Sequence, residues 1–109
     1  MRYKLSMKII LKTDEFDTWF RKLRDRKAKI YIGRRIERAE SDNFGDHKSV
    51  GDGVSEMRIT YGPGYRVYYA HTDGVVYILL IGGDKSTQSK DIITAKRLWQ
   101  NICLGDKND

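Results

Sequence analysis

One cysteine, one proline and two histidines in 109 residues remove several kinds of chemistry at once. Cys103 alone cannot form an internal disulfide, which excludes a small secreted domain stapled by bridges and makes a reducing cytoplasm the expected location. His47, His71 and Cys103 share no recognised ligand spacing, so neither a structural zinc site nor any other metal or cofactor is expected. There is no nucleophile elbow and no Cys-His signature, and Gly82-Gly83-Asp84-Lys85-Ser86 lacks the G-x-x-x-x-G-K-[ST] spacing of a phosphate loop. Long hydrophobic runs are missing too. Val75 to Ile81 is the longest, far short of the ~20 residues of a membrane helix, and no continuous hydrophobic region follows Met1-Arg2, so neither a span nor a signal peptide is expected.

Acidic residues are scarce relative to basic ones: 15 Asp and Glu against 21 Lys and Arg leave a net charge of +6. That balance favours a polyanionic or acidic partner. The length fits one domain over residues 1–109, and 39% hydrophobic residues suffice for a small core.

Periodicity divides the chain. Leu5, Met7, Ile9 and Leu11 alternate with polar residues from Lys4 to Lys12, as in a strand buried on one face. Phe16, Trp19, Phe20 and Leu23 recur at helical spacing behind a Thr13 or Asp14 cap, and Ala28, Ile32, Ile36 and Ala39 extend a helical hairpin to about Glu40. Residues 41–53 read as a loop. Val54 to Tyr61 and Tyr65 to His71 form a hairpin around Gly62-Pro63-Gly64, and the apolar run Val75 to Ile81 reads as a central strand covered on both faces. Ile92, Ala95, Trp99 and Ile102 mark a last helix, and residues 105–109 a frayed tail. The fold class is α+β, in the order βααβββα.

Cations on the strands are the unusual feature. Neighbouring antiparallel strands bring Arg58 and Arg66 to one side of the sheet, Lys85 and Gln88 follow the Gly82-Gly83 turn, and His47 and Lys48 precede the hairpin. A simple pairing of Arg58 with Glu56 is the plain alternative. A second basic cluster, which includes Arg34, Arg35 and Arg38, lies on the helical hairpin. It is either a solvated face or a surface for an acidic partner or nucleic acid.

Phe16-x-x-Trp19, Gly45-Asp46-His47-Lys48, Gly53-Val54-x-Glu56-Met57-Arg58, Tyr61-Gly62-Pro63-Gly64-Tyr65-Arg66-Val67-Tyr68 and Gly82-Gly83-Asp84-Lys85-x-x-Gln88 together resemble one family. It is that of the phage Gp49-like, HigB-type killer proteins of the RelE/ParE toxin superfamily, and the likeness runs from Met7 to Ile102, leaving residues 1–6 as an extension. The resemblance implies a RelE-like fold, with the helical hairpin packed on an antiparallel sheet and a C-terminal helix. It also implies a toxin encoded beside an Xre-type helix-turn-helix antitoxin, acting by metal-independent cleavage of mRNA on the ribosome. On that reading Arg58, Arg66, Lys85 and Gln88 are catalytic, His47, Lys48, Tyr68 and Lys90 contact RNA, and Arg34, Arg35 and Arg38 bind the antitoxin in a hetero-oligomer. A ParE-like gyrase inhibitor, or a non-catalytic RNA-binding domain that stacks bases on Tyr65, Tyr68 and Tyr69, are the alternatives.

Overall fold

A computed structural model describes residues 8–107. The elements are β1 (Ile9–Lys12), α1 (Asp14–Lys22), α2 (Arg26–Glu40), β2 (His47–Gly51), β3 (Val54–Ile59), β4 (Tyr65–Thr72), β5 (Val76–Gly83), a 3-10 turn (Lys85–Thr87) and α3 (Gln88–Lys107). Caps begin both helices of the hairpin. Thr13 Oγ1 accepts from the Phe16 N–H at 2.9 Å, and Asp25 Oδ1 accepts from Lys27 and Ala28 at 2.9 and 3.2 Å, filling donors that a helix start leaves bare.

One five-stranded sheet runs in the order β1-β5-β4-β3-β2. Its pairings are antiparallel except the first, in which β1 lies parallel to β5. Helices α1 and α2 cover one face, where Phe16, Ala28, Ile32 and Ala39 pack on Met57, Ile59, Val67, Tyr69 and Leu79. On the opposite face Ala95 and Leu98 of α3 pack on Val54, Tyr68, Ala70 and Leu80. The result is a sheet between two helical layers, in keeping with a RelE-like α+β fold.

Three expectations change. His47–Gly51 is an edge strand paired with β3, although it falls inside the segment read as loop. Its polar residues show no alternation because both faces of most of the strand are exposed and a bulge between Ser49 and Gly51 interrupts it. β5 is internal but β4 is the middle strand. α3 continues through Gly105 to Lys107, past the start of the expected tail. Residues 1–6 and the first part of the strand expected from Lys4 lie outside the described residues.

A register shift between Tyr68 and Tyr69 leaves Leu80 of β5 without a partner. This bulge resets which side chains share a face beyond it. Gly82 then lies opposite Val67 on the α1 side, and Gly83 opposite Arg66 on the α3 side. Each glycine makes room for a neighbour: a Cβ on Gly82 would stand 2.2 Å from the Trp19 ring, and one on Gly83 1.8 Å from Asp91 Oδ2.

Candidate active site

Strand alternation places Glu56, Arg58, Arg66 and Tyr68 on the α3 face. The register sets Arg58 directly opposite Arg66, and Glu56 opposite Tyr68 on one side and Lys48 on the other. Two guanidiniums face to face repel, and a carboxylate resolves the conflict. Glu56 Oε1 lies 3.7 Å from Arg66 Nε, and Oε2 lies 4.0 Å from Arg58 Nε. Gln88, at the start of α3, donates to Glu56 Oε1 through Nε2 at 3.2 Å.

Glu56 is fully buried, at 0% exposure, and Arg66 is 9% exposed. Burial of such a carboxylate is tolerable only because opposite charges flank it. Arg58 is the more open of the two arginines, and its Nη2 donates to Asp46 Oδ1 at 3.0 Å. Arg66 is steadied from the turn, its Nη1 donating to the Gly64 carbonyl at 2.8 Å. Glu56 Oε2, Arg58 Nε, Arg66 Nε and the Tyr68 hydroxyl are all buried without a hydrogen bond. Four polar atoms of one cluster thus keep hydrogen-bonding capacity in hand.

Lys85 enters from the loop. Its N–H donates to the Pro63 carbonyl at 3.3 Å, and a Cβ on Gly64 would stand 3.2 Å from Arg66 Nη1 and 3.5 Å from the Lys85 Cβ. The two cations are therefore carried by adjoining pieces of chain. A capping box at Asp84 fixes the 3-10 turn, with Asp84 Oδ1 accepting from the Ser86 N–H at 2.8 Å. Thr87 Oγ1 then donates to Asp91 Oδ2 at 2.5 Å. Burial, against that hydrogen bond, raises the Asp91 pKa above the usual carboxylate value.

The expected site residues thus separate. Arg58, Arg66 and Gln88 converge on Glu56, Lys85 stands beside Arg66, and Lys48 is opposite Glu56 on the exposed edge strand. Lys90 is exposed on the first turn of α3. His47 does not join them: it pairs with Met57 on the other face, and its ring lies 6.0 Å from that of Phe44. Tyr68 cannot stack on a base, because its ring is at 0% exposure under α3. Its hydroxyl pKa is raised by burial first and by the nearby Glu56 carboxylate next. Arg66 is largely buried, held between Glu56 and the Gly64 carbonyl of the Gly62-Pro63-Gly64 turn.

Arg35 is also not the free docking cation that its helical position implies. Its Nη1 donates to the Arg58 carbonyl and its Nη2 to the Phe44 and Asp46 carbonyls, at 2.9 and 3.3 Å for the last two. It ties α2 to the segment leading into β2. Arg34 and Arg38 stay exposed. Sequence reasoning missed Glu56 as a functional position, since strand alternation marks it only as a polar neighbour of Arg58. Among the described residues no group of His, Cys, Asp and Glu is arranged to hold a metal ion, and no helix is long and apolar enough to cross a membrane.

Residues 18–100 match the family model described as phage derived protein Gp49-like (DUF891). An uncharacterized protein of Haemophilus influenzae is 54% identical over 99 residues, covering 90% of this chain and 100% of its own length.

Proposed function

The chain belongs to the phage-derived Gp49-like family, the HigB- and RelE-like toxin group, and from that premise we propose that it is an endoribonuclease that cleaves mRNA on the ribosome. Membership makes it the toxin of a toxin-antitoxin pair. An Xre-type helix-turn-helix antitoxin is the proposed partner, the cytoplasm the proposed location, and no metal enters the proposed reaction.

The observation that carries the reading is the Arg58–Arg66 pair held about buried Glu56, with Lys85 alongside. Cleavage by this route has the RNA 2′-oxygen attack the adjacent phosphorus while the bond to the 5′-oxygen breaks, leaving a 2′,3′-cyclic phosphate and a 5′-hydroxyl. Negative charge builds on the phosphoryl oxygens, and cations fixed beforehand at that point lower the barrier. Arg58 and Arg66 supply that charge in a set geometry. Lys85 holds the phosphate and protonates the departing 5′-oxygen, while solvent takes the proton of the 2′-hydroxyl. Gln88 and Glu56 do not reach the reacting atoms. They position the guanidiniums. Lys48 and Lys90 extend the positive face along the RNA backbone.

Single-turnover cleavage of a ribosome-bound message tests the ranking. Lys85→Ala should fall by roughly 100- to 1000-fold, the size of a lost charge-stabilising group, and Gln88→Ala by much less. Equal activity of Lys85→Ala and wild type would sink the assignment.

A further inference from the structure

Behind the sheet from the arginine pair, a groove of about 310 Å³ opens between α2 and the start of the β3–β4 turn. It is lined by Tyr31, Arg35, Arg38, Ile59, Thr60 and Tyr61. The Tyr31 and Tyr61 rings stand 4.8 Å apart at 59°, forming its aromatic wall. Tyr61 is fixed there: its hydroxyl donates to Asp25 Oδ2 at 2.9 Å, the carboxylate that also caps α2. The wall is therefore built before any partner arrives, which spares a binding event the cost of ordering it.

Charge around the groove is mostly positive. Arg34, Arg35 and Arg38 face only Glu37 on this stretch of α2, and a second depression of about 360 Å³, lined by Arg34, Glu37, Arg38, Ser41 and Asn43, continues past Arg38. An aromatic-walled pocket that leads into a basic track fits a chain with one large apolar side chain among carboxylates. RNA fits less well. Ile59 turns into the α2 face whereas its neighbour Arg58 turns to the α3 face, so a message lying on Arg58 and Arg66 is a sheet's thickness away from the groove.

We propose that this groove seats an acidic peptide segment of the protein partner, with an aromatic or leucine side chain packed against the Tyr31–Tyr61 wall and carboxylates on Arg34 and Arg38. Exposed Tyr and Arg around a preformed pocket are the residue types that dominate binding energy at interfaces. The site is linked to the arginine pair by Arg35, whose guanidinium forms one edge of the groove and holds the Arg58 carbonyl. The proposal rests on the toxin-antitoxin reading for the existence of a protein partner, but not on nuclease chemistry.

Fluorescence anisotropy tests it with two labelled probes, a short peptide of aspartate and glutamate around a Leu-Phe pair and an oligouridylate of equal charge. Wild type should bind the peptide, Tyr31→Ala and Arg38→Glu should each weaken it by about tenfold or more, and Lys85→Ala should weaken only the oligouridylate. Unfolding curves confirm that each variant is folded. No peptide binding by wild type, peptide binding indifferent to both groove variants, or oligouridylate binding that follows Tyr31 and Arg38 would each overturn the proposal. Cleavage assayed on the same wild-type preparation separates the two claims: peptide binding without cleavage removes the nuclease and keeps the groove, and cleavage without peptide binding does the reverse.

Discussion

A carboxylate closed off from water costs several kcal/mol unless neighbouring charges repay it, and Glu56 is repaid twice, by Arg66 at 3.7 Å and Arg58 at 4.0 Å. The same residue relieves the repulsion between the two arginines. Glu56→Gln keeps the shape and removes the charge, so it should cost about 3 kcal/mol, the lower end for a broken buried pair because Arg58 remains partly solvated. Urea unfolding checks this; an unchanged midpoint would mean that the guanidiniums need no counter-charge. Arg66→Ala should likewise lose stability along with activity, whereas exposed Lys85→Ala should cost under about 0.5 kcal/mol. Asp91 makes the opposite demand. Its pKa is higher in the fold than in the unfolded chain, so its contribution is fully present below the unfolded value and is lost as pH rises through the folded one. Asp91→Asn, still able to accept from Thr87, should therefore stabilise the protein near neutrality, with the gain vanishing below about pH 4, where the wild-type carboxyl is itself protonated. Thermal melts across that range give the sign directly.

At the scale of elements, the end of β5 is where packing and site meet. The Leu80 bulge turns Gly82 to Trp19 and Gly83 to Asp91, and neither neighbour leaves space for a methyl group. Gly82→Ala should cost about 1 to 3 kcal/mol through displacement of the Trp19 ring, seen as a lower Tm together with altered tryptophan fluorescence. A variant as stable as wild type would show that the ring moves freely. Much of this layer was legible in the sequence. The hairpin around Gly62-Pro63-Gly64 follows from alternation and turn chemistry, and the helical stripe Phe16, Trp19, Phe20 and Leu23 from its spacing. The strand β2 was not legible, because a polar edge strand with a bulge between Ser49 and Gly51 carries no period. Nor was the parallel pairing of β1 with β5, a long-range contact on which local pattern is silent. The pairing of Arg58 with Arg66 followed from hairpin register. The burial of Tyr68, Arg66 and Glu56 did not, because it depends on where α3 crosses the sheet.

Across the whole molecule, the sheet separates two basic surfaces. One is the face of Arg58, Arg66, Lys85 and Lys48, and the other is the α2 groove with Arg34 and Arg38. On the proposed reading, this division gives a chain of +6 net charge one surface for an RNA and another for an acidic protein segment. The helical face shows where sequence and structure part: Arg34, Arg35 and Arg38 look alike in a list of charges, yet Arg35 is committed to the Arg58, Phe44 and Asp46 carbonyls. The central claim is that the arginine face cuts RNA. It is tested most directly by incubating purified wild-type protein with ribosomes translating a defined message, in the presence of a metal chelator compatible with ribosome integrity, and mapping the fragment ends. Fragments ending in 2′,3′-cyclic phosphate, produced by wild type and about 100-fold or more slower with Lys85→Ala, are the predicted result. An intact message at wild-type concentrations that arrest growth would contradict it.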